Sequence, residues 1–425
     1  MTKEYLKKSW RKLDNTAKIF SLDDKDNTNI FRYSVILKQD IDEKILIKAL
    51  ERALNNYLIF KVKIGTGVFW NYLEYNPKEP IIKKEDEIPC QHINFKENND
   101  YLFKVTYYKK KINLDIFHVL TDGTGAISFL KSIIYNYLSL KYNLSFSENT
   151  NNSISYQDQY LRKYDKNLKV NDKFKMAYQI PGKVNKHINN TYHYIIDIDK
   201  IKKVCKNYGV TITEYLTAIY IYAMYLSIYN KNSRKEINIA VPINLRKYYQ
   251  VDTLSNFFVC MNVNAKVVGS DPLKFDEVLK NVHKDFQEKL EIDKVKSYLT
   301  RDVNLGMNVI IRLVPLFMKK IVMKFIGNLV TRTSTSTLSN VGVIDIDDKY
   351  EKYIDNILVL VMPSKVQKIK CTVCSFGKYL NVTVNSNIED SKFEQRFYKL
   401  LKSQLDNVKL VGNNGNSIKG IREVV

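Results

Sequence analysis

The stretch FHVLTDGTG, residues 117–125, places a histidine where an apolar strand gives way to an Asp-Gly turn. Ile112, Leu114, Ile116 and His118 follow the period of two that puts side chains on one face of a strand. Three apolar neighbours imply a buried face, so His118 is predicted to end a buried row where a cleft can open. Such an imidazole is either a core histidine bonded to a carbonyl group or a functional group.

Asp122 and Gly123 connect this strand to a predicted helix, Thr124–Leu140. In a purely structural interpretation, Asp122 only caps the helix. Gly123 supplies a backbone position that tolerates a positive φ angle or a close approach by another group. The helix is therefore predicted to begin beside the imidazole of His118.

Hydrophobic periodicity predicts strands and helices in both halves of the chain. The other predicted helices are Ile41–Leu58 with Asp42 as N-cap, Tyr215–Tyr229 behind a capping box at Thr211–Glu214, residues 275–290 and a closing helix near residues 393–401. The predicted strands are a hairpin within Ile59–Trp70, then Tyr101–Tyr108, Ile112–Val119, Tyr192–Asp199, residues 237–243, residues 257–267, Ile354–Met362, Ile369–Phe376 and Tyr379–Asn385. The tail from Lys409 onward is predicted to be poorly ordered.

Strands often follow one another without an intervening helix, which favours an α+β fold of two lobes with mixed sheets over a doubly wound parallel sheet. A polar, Asn-rich region interrupted by Pro181-Gly182 separates the two halves. We therefore predict an N-terminal lobe at residues 1–165, a linker or crossover at residues 166–190, and a C-terminal lobe at residues 191–425.

The chain of 425 residues has a formal net charge of +22, with 67 Lys and Arg against 45 Asp and Glu. A charge of this size suits an anionic partner such as nucleic acid, a membrane surface or a phosphate-bearing cofactor. The charge is spread along a sequence rich in Lys, Asn, Ile and Tyr, which favours compositional drift with a modest anion site. Because no recognised nucleic-acid-binding module is present, no nucleic-acid partner is predicted.

The sequence contains five cysteines: Cys90, Cys205, Cys260, Cys371 and Cys374. Their odd number and wide spacing, behind a charged start rather than a signal peptide, predict reduced thiols in a cytoplasmic protein. Cys371 and Cys374 lie three residues apart in a predicted strand, so they are expected on opposite faces. No metal site is predicted.

Two apolar segments raise the question of membrane contact. Tyr215–Tyr229 is too short and too rich in Tyr, Thr and Ser for a spanning helix, and a helix buried on nearly all sides is predicted instead. Ile310–Val330 is a strongly apolar helical pattern interrupted by basic residues and kinked or restarted near Pro315. It is either packed on the second lobe or an interfacial helix in peripheral contact with a membrane.

His-x-x-x-Asp-Gly between a strand and a helix, in a two-lobed chain of this size, resembles the chloramphenicol-acetyltransferase-like acyltransferase superfamily. VPINLRKYYQVDTLSNFF, Val241–Phe258, is similar to the superfamily's strand ending in Asn-x-Arg and followed by a Ser-Asn-Phe strand start. TLSNVG, Thr337–Gly342, is similar to the Ser-Asn-x-Gly segment of the alcohol acetyltransferase and wax-synthase branches. The Asp-Phe-Gly-Trp-Gly box of the plant branch is absent, and Phe117 precedes His118 where condensation domains carry a second histidine. The alcohol acetyltransferase branch therefore fits best, and it implies two similar lobes with an active-site channel between them.

The resemblance implies direct acyl transfer from a coenzyme A thioester to a hydroxyl group, with His118 as general base. It implies Ser339, or a nearby hydroxyl such as Thr337, as the oxyanion donor, with Asn340 in support. In an alternative interpretation, Ser-Asn-Val-Gly is an ordinary tight turn.

Asp122 belongs to the catalytic motif, but the resemblance implies that it turns away from substrate and pairs with Arg246. That pair would tie the lobes together beside the site. Gly123, Arg246 and Asn340 are accordingly expected to have structural roles.

The implied co-substrate is acyl-CoA, with no permanently bound cofactor, and the implied acceptor is a small alcohol or, alternatively, an amine. The CoA phosphates need cations, and Lys365, Lys368 and Lys370 lie near predicted strands of the second lobe. A solvated surface is the favoured interpretation of these lysines, so no residue is assigned to the phosphates. The chain is expected to act as a monomer.

Two other functions remain open at this point. One is a stand-alone condensation-type enzyme that uses a carrier-protein donor or an amine acceptor. The other is a non-catalytic binding protein that keeps the fold, which the intact His118, Asp122 and Arg246 disfavour.

Overall fold

The computed structural model describes residues 10–22, 28–146, 157–170, 175–185, 189–269, 272–307 and 314–412. The strands are β1 (Arg11–Lys12), β2 (Ile30–Leu37), β3 (Val62–Thr66), β4 (Asn71–Tyr75), β5 (Ile82–Lys84), β6 (Phe103–Tyr108), β7 (Lys111–Phe117), β8 (Asn190–Asp197), β9 (Asn238–Asn244), β10 (Phe258–Asn264), β11 (Ser336–Val343), β12 (Ile354–Val361), β13 (Ile369–Phe376), β14 (Tyr379–Ser386) and β15 (Lys409–Gly412). The helices are α1 (Asn15–Phe20), α2 (Glu43–Asn56), α3 (Gly123–Tyr142), α4 (Gln159–Lys163), α5 (Ile198–Tyr208), α6 (Ile212–Ser227), α7 (Arg246–Tyr249), α8 (Phe275–Lys289), α9 (Ile292–Met307), α10 (Leu316–Thr331), α11 (Asp348–Glu351) and α12 (Lys392–Gln404), with a short 3-10 helix at Phe95–Asn98.

The first sheet has five strands in the order β12-β2-β7-β6-β5. β5 runs parallel to β6, and the other neighbouring strands are antiparallel. Helices α2 and α3 share a continuous apolar core with this sheet, in which Tyr33, Ile112 and Phe129 are fully buried. The sheet is mixed, as the sequence predicts.

The second sheet has seven strands in the order β10-β9-β11-β13-β14-β8-β15. β11 lies between β9 and β13 and runs parallel to both, while the remaining neighbours are antiparallel. Its core includes side chains of α5, α6, α8, α9 and α12. A separate small sheet has the order β1-β4-β3.

Strand β12 crosses from the second half of the sequence to the first sheet. Ile354–Val361 pairs antiparallel with Ile30–Leu37, although in sequence it lies between β11 and β13, two neighbouring strands of the second sheet. Alternation predicts this strand correctly, but the pattern alone carries no information about which sheet it joins. The exchange places an edge of the first sheet directly beside β13 and β14.

Several predicted elements are confirmed with small shifts of their ends. α2 begins behind Asp42, whose side chain accepts a hydrogen bond from the backbone of Ile45. The capping box is present at α6, where Thr211 and Glu214 satisfy each other's backbone N–H groups. The hairpin predicted within Ile59–Trp70 lies further along the chain, as β3 and β4.

The prediction for the C-terminal tail is wrong in part. Residues 409–412 form β15, which pairs antiparallel with β8 at the edge of the second sheet. The rest of the predicted tail, residues 413–425, lies outside the described residues. Within the predicted linker, Tyr178 and Ile180 are buried in the core of the second sheet.

Cys371 and Cys374 point to opposite faces of β13, as predicted. Cys371 lies in the core of the second sheet, and Cys374 lies in the core of the first. Burial raises the pKa of the Cys374 thiol to about 12.

Across the described ranges, the structure contains no helix with both the length and the apolar character needed to cross a bilayer.

Candidate active site

His118 directly follows β7, at the boundary between the two sheets. The three apolar residues that precede it on its predicted face, Ile112, Leu114 and Ile116, are fully buried. The His118 ring retains partial exposure and lies against three phenylalanine rings, with centroid distances of 4.6 Å to Phe20, 4.8 Å to Phe31 and 5.5 Å to Phe258. The imidazole is thus enclosed by apolar groups from both halves of the chain without being sealed.

The tautomer of His118 follows from its contact with Asn256. The Asn256 amide nitrogen donates to the backbone oxygen of His118 at 3.0 Å and to Oδ2 of Asp14 at 3.1 Å. Both partners are acceptors, so the amide oxygen must be the atom that faces Nδ1 of His118, at 3.0 Å. Nδ1 therefore carries the proton, and Nε2 keeps a free lone pair.

Burial lowers the pKa of His118 below its ordinary value of 6.5. The negative charge of Asp122 and the hydrogen bond to Asn256 oppose this shift, and the positive charge of Lys370 reinforces it. Because the desolvation effect is the largest, the neutral imidazole is the dominant form at neutral pH. This is the protonation state that a general base needs.

Asp122 performs both of the functions considered from the sequence. One carboxylate oxygen caps α3 by accepting from the backbone N–H groups of Thr124 and Gly125. The same carboxylate forms a bidentate pair with Arg246, with N–O distances of 2.8 and 3.0 Å, and both side chains are at most 10% exposed. It also accepts from the backbone of Phe257 at 2.9 Å. The predicted Asp122–Arg246 pair is therefore present, and it joins the two halves beside His118.

The backbone of residues 253–257 also binds the Asp122–Arg246 pair and the turn that carries His118. Arg246 donates to the backbone oxygens of Thr253 and Ser255, at 2.9 and 2.8 Å. The Thr121 hydroxyl donates to the backbone oxygen of Leu254 at 2.5 Å. The turn that presents His118 is thereby attached to the other half of the chain on several sides.

The close backbone approach expected at Gly123 is more severe at Gly125. A Cβ atom at Gly125 would lie 2.5 Å from the backbone oxygen of Leu254, a distance that real Cβ atoms do not show. A Cβ atom at Gly123 would meet the Tyr33 hydroxyl at 3.1 Å, which is tight but less restrictive. Gly123 is the first residue of α3 and its φ angle is not positive. Of the two reasons given for a glycine here, a positive φ angle or a close approach, only the close approach applies.

Ser339 lies on β11, on the face that is turned towards the first sheet. Its neighbour Leu338 is buried in the core of the second sheet. Ser339 itself is in register with Thr372, whose hydroxyl donates to the backbone of Val359 on β12. Among the described residues, the Ser339 hydroxyl has no hydrogen-bond partner, and the side chain is partly exposed.

Thr337 and Asn340 are engaged in other contacts. The Thr337 hydroxyl donates to the side-chain oxygen of Gln367 at 2.9 Å. The Asn340 amide donates to the hydroxyl of Thr213 at 2.8 Å, and its oxygen accepts from the backbone of Gly342. Asn340 therefore fixes the end of β11 against α6, which is consistent with a supporting function.

The three candidate phosphate-binding lysines differ in their surroundings. Lys368 is partly buried and donates to the backbone oxygens of Ile180 and Gly182. Burial lowers its pKa. Lys365 is exposed, whereas Lys370 is partly buried in register with Thr337 and close enough for its charge to affect His118. The structure therefore does not group them as one anion site.

Asn256 and Asp14 are the site residues that sequence reasoning missed. Asn256 stands inside the quoted Ser-Asn-Phe stretch, but no role was assigned to it. Asp14 caps α1 by accepting from Ala17 at 2.7 Å, and burial raises its pKa to about 7. Nothing in the sequence near Asp14 marks it, because its contact with Asn256 spans 242 residues and is created by folding.

The sequence profile of the alcohol acetyltransferase family matches residues 175–404, more than half of the chain. The matched region contains Arg246, Asn256, Ser339 and Asn340, while His118 and Asp122 precede it. No curated protein sequence is significantly similar to this chain.

Several solved structures share the fold over nearly the whole chain. TRI101 of F. graminearum, crystallised with coenzyme A and deoxynivalenol, has a TM-score of 0.65 at 9% identity and covers 95% of this chain and 99% of its own. TRI3 trichothecene 15-O-acetyltransferase from Fusarium sporotrichioides has a TM-score of 0.61 at 10% identity, with coverage of 93% and 95%. The starter condensation domain of rhizomide synthetase RzmA has a TM-score of 0.60 at 12% identity, with coverage of 94% and 96%. At these identities the similarity establishes the fold, in which both lobes of the chain take part.

Proposed function

Because the chain belongs to the alcohol acetyltransferase family and has the acyltransferase fold along its whole described length, we propose that it transfers an acyl group from coenzyme A to a hydroxyl acceptor. The observation that carries the proposal is the contact of His118 Nδ1 with the amide oxygen of Asn256, which assigns the proton to Nδ1 and leaves Nε2 as the basic nitrogen. TRI101, which has the same fold, was crystallised with coenzyme A, and this supports a coenzyme A thioester as the donor.

In the proposed reaction, Nε2 of His118 accepts the proton of the acceptor hydroxyl as its oxygen attacks the thioester carbonyl. A tetrahedral intermediate forms, and its negative charge falls on the former carbonyl oxygen. Collapse breaks the carbon–sulfur bond, and the imidazolium returns the proton to the departing thiolate. The ester and free coenzyme A leave, and His118 is again neutral, so no acyl-enzyme is needed.

We assign the oxyanion contact to Ser339 because its hydroxyl is unpaired among the described residues and lies on the face of β11 turned towards the first sheet. The Thr337 hydroxyl is less suitable because Gln367 already accepts its hydrogen bond. Asp122 and Arg246 hold the loop of His118 and do not touch the reacting atoms. Since all of these groups come from a single chain, we propose that a monomer is active, with residues 1–165 and 191–425 contributing the two sides of the site.

Replacing Ser339 with alanine is expected to lower kcat by about 10²-fold with little change in KM, because a donor made available only to the developing oxyanion acts on the transition state. The matched control is Thr337→Val, which removes a hydroxyl two residues before Ser339 on the same strand. This substitution is expected to change kcat much less. Steady-state kinetics with acetyl-CoA and an alcohol acceptor measure both. Equal losses in the two variants would remove Ser339 from the mechanism.

The pH dependence of kcat/KM should show an acidic limb with its midpoint below pH 6.5, because burial lowers the pKa of His118. Above that midpoint the imidazole is neutral and can accept a proton, and below it the base is lost. Asn256→Ala is expected to lower kcat by about 10–10²-fold, because the His118 ring loses the contact that fixes its tautomer and its orientation. It should also move the limb to still lower pH, because the contact with Asn256 raises the pKa.

The matched control is Asn262→Ala on β10, which begins two residues after Asn256; the Asn262 side chain donates to Thr333 rather than to the site. It removes an amide from the same stretch of chain and should leave the acidic limb in place. If the two variants shift the pH profile of kcat/KM equally, or if neither shifts it, then Asn256 does not set the tautomer of His118.

The proposed function as a whole is tested by thiol release from acetyl-CoA in the presence of a panel of alcohols and amines. Alcohol-dependent thiol release is the expected result. Release with amines alone would favour an amide-forming enzyme.

A further inference from the structure

Helix α10 presents an apolar stripe to solvent. Phe317, Ile321 and Phe325 follow at intervals of four residues, so they lie on one side of the helix, and they are 71%, 72% and 67% exposed. Met318, Val322 and Leu329 broaden the stripe with further exposed apolar side chains. Contiguous apolar surface of this kind on a folded protein marks a contact site.

The opposite side of α10 anchors it to the protein, so the stripe is held facing outward. Leu316 and Met323 pack with Leu22, and the Lys319 ammonium donates to the backbone oxygen of Phe69 at 2.7 Å. The same ammonium lies 3.7 Å from the centre of the Trp70 ring. These contacts attach the helix to the β3–β4 hairpin.

The tip of that hairpin extends the apolar surface. The backbone oxygen of Val68 accepts from the first residue of α10 at 2.9 Å, so the tip lies at the start of the helix. Val68 and Phe69 are 73% and 45% exposed. Helix and hairpin tip together form what we call the apolar face: Val68, Phe69, Phe317, Met318, Ile321, Val322, Phe325 and Leu329.

The charged side chains of α10 itself are all basic. The sequence from residue 303 to residue 344 contains no Asp or Glu. Lys320 is exposed and lies along one edge of the stripe, three residues after Phe317. An apolar stripe on a helix whose charged residues are all basic is complementary to an apolar layer covered by anionic groups.

We propose that the apolar face docks this protein on the surface of an anionic lipid bilayer. Phe317, Ile321 and Phe325 enter the boundary between headgroups and acyl chains, while Lys320 lies at the level of the lipid phosphates. A second copy of this chain is a poorer occupant, because two such faces would bring like charges together. The chain's net charge of +22 adds a general attraction to an anionic surface, while the apolar face sets the orientation.

The docked face is connected to the candidate site through α1. Leu22, which packs under α10, follows Phe20 by two residues, and the Phe20 ring lies against His118. An apolar acceptor dissolved in the bilayer would therefore approach on the side of the molecule that carries the catalytic imidazole. The docking itself does not depend on the transferase reaction, so the two proposals can fail separately.

The test is sedimentation of the full chain with vesicles of phosphatidylcholine alone or with one third phosphatidylglycerol, at low and high salt. We expect binding to the anionic vesicles that weakens as salt rises. Ile321→Glu combined with Phe325→Glu should lower the bound-to-free ratio at least ten-fold. The matched control, Val268→Glu combined with Ile292→Glu, adds the same charge at exposed apolar sites elsewhere and should lower it much less.

Three results would overturn the proposal. They are no binding to anionic vesicles at low salt, equal losses in the two double variants, and a protein that dimerises in solution through this face while ignoring vesicles. Thiol release with a water-soluble alcohol, measured without vesicles, reports the proposed function separately. Circular dichroism of both variants checks that the exposed substitutions leave the fold intact.

Discussion

Replacing His118 with alanine is expected to lower kcat for thiol release from acetyl-CoA by about 10²–10⁴-fold, because it removes the general base that accepts the hydroxyl proton in the proposed reaction. The truncation should leave the overall fold in place, since His118 lies beyond the last residue of β7 and its backbone N–H still donates to Asn29. Steady-state kinetics and thermal unfolding of the same preparation measure the two effects.

His193 supplies the matched control for this substitution. It lies within β8, its ring hydrogen-bonds with the Thr383 hydroxyl at 2.9 Å, and burial lowers its pKa to about 3. His193→Ala is expected to lower thermal stability with a much smaller effect on kcat per folded molecule. If His118→Ala retained full activity, the assignment of the general base would be wrong.

The second large effect is expected from Asp122→Asn. Both oxygens of the Asp122 carboxylate accept hydrogen bonds, from Arg246, from Phe257 and from the start of α3. An amide nitrogen in place of either oxygen would meet donors only, and Arg246 would be left as a buried cation without its counter-charge. We expect the free energy of unfolding to fall by about 3–5 kcal/mol, as when one partner of a buried ion pair is removed.

Activity should fall together with stability in Asp122→Asn, because the loop of His118 loses its attachment to the second half of the chain. The matched control is Glu87→Gln, which removes the exposed pair with Lys104 and should cost no more than about 1 kcal/mol. Urea unfolding and kinetics on both variants make the comparison. A well-folded and fully active Asp122→Asn protein would contradict the role assigned to the pair.

The fold was predictable where the apolar residues of a strand or helix repeat with the period of that element. β9, β10 and α2 match the sequence pattern because each buries one apolar face against a single core, whereas β7 and β13 are buried on both faces. Partner choice was not predictable, since β12 reads as another strand of the second half yet completes the first sheet. β15 was missed for a related reason: its side chains are mostly exposed, and its place in the second sheet comes from backbone pairing with β8.

The site was predictable only where residue identity carries the chemistry. His118, Asp122 and Arg246 stand out as a motif and its partner, and the structure brings Asp122 and Arg246 together. Asn256 and Asp14 act through contacts between residues that are 138 and 242 positions apart in sequence, so no local spacing marks them. Lys368 was an open candidate for an anion site until the structure showed its ammonium on backbone oxygens of the segment at residues 180–182.

The interfacial interpretation of Ile310–Val330 remains a proposal with a defined geometry. The helix begins immediately after Pro315, as the sequence suggested, and its outward stripe is apolar rather than polar. Residues 310–313 of the predicted segment lie outside the described residues.

The most direct test of the account is a product balance with acetyl-CoA and a primary alcohol, followed by mass spectrometry of the protein. We predict alcohol-dependent formation of ester and free coenzyme A in equal amounts, no acetylated form of the chain, and loss of both products in His118→Ala. A stable acetylated protein, or equal turnover with and without the His118 imidazole, would contradict direct transfer by this site.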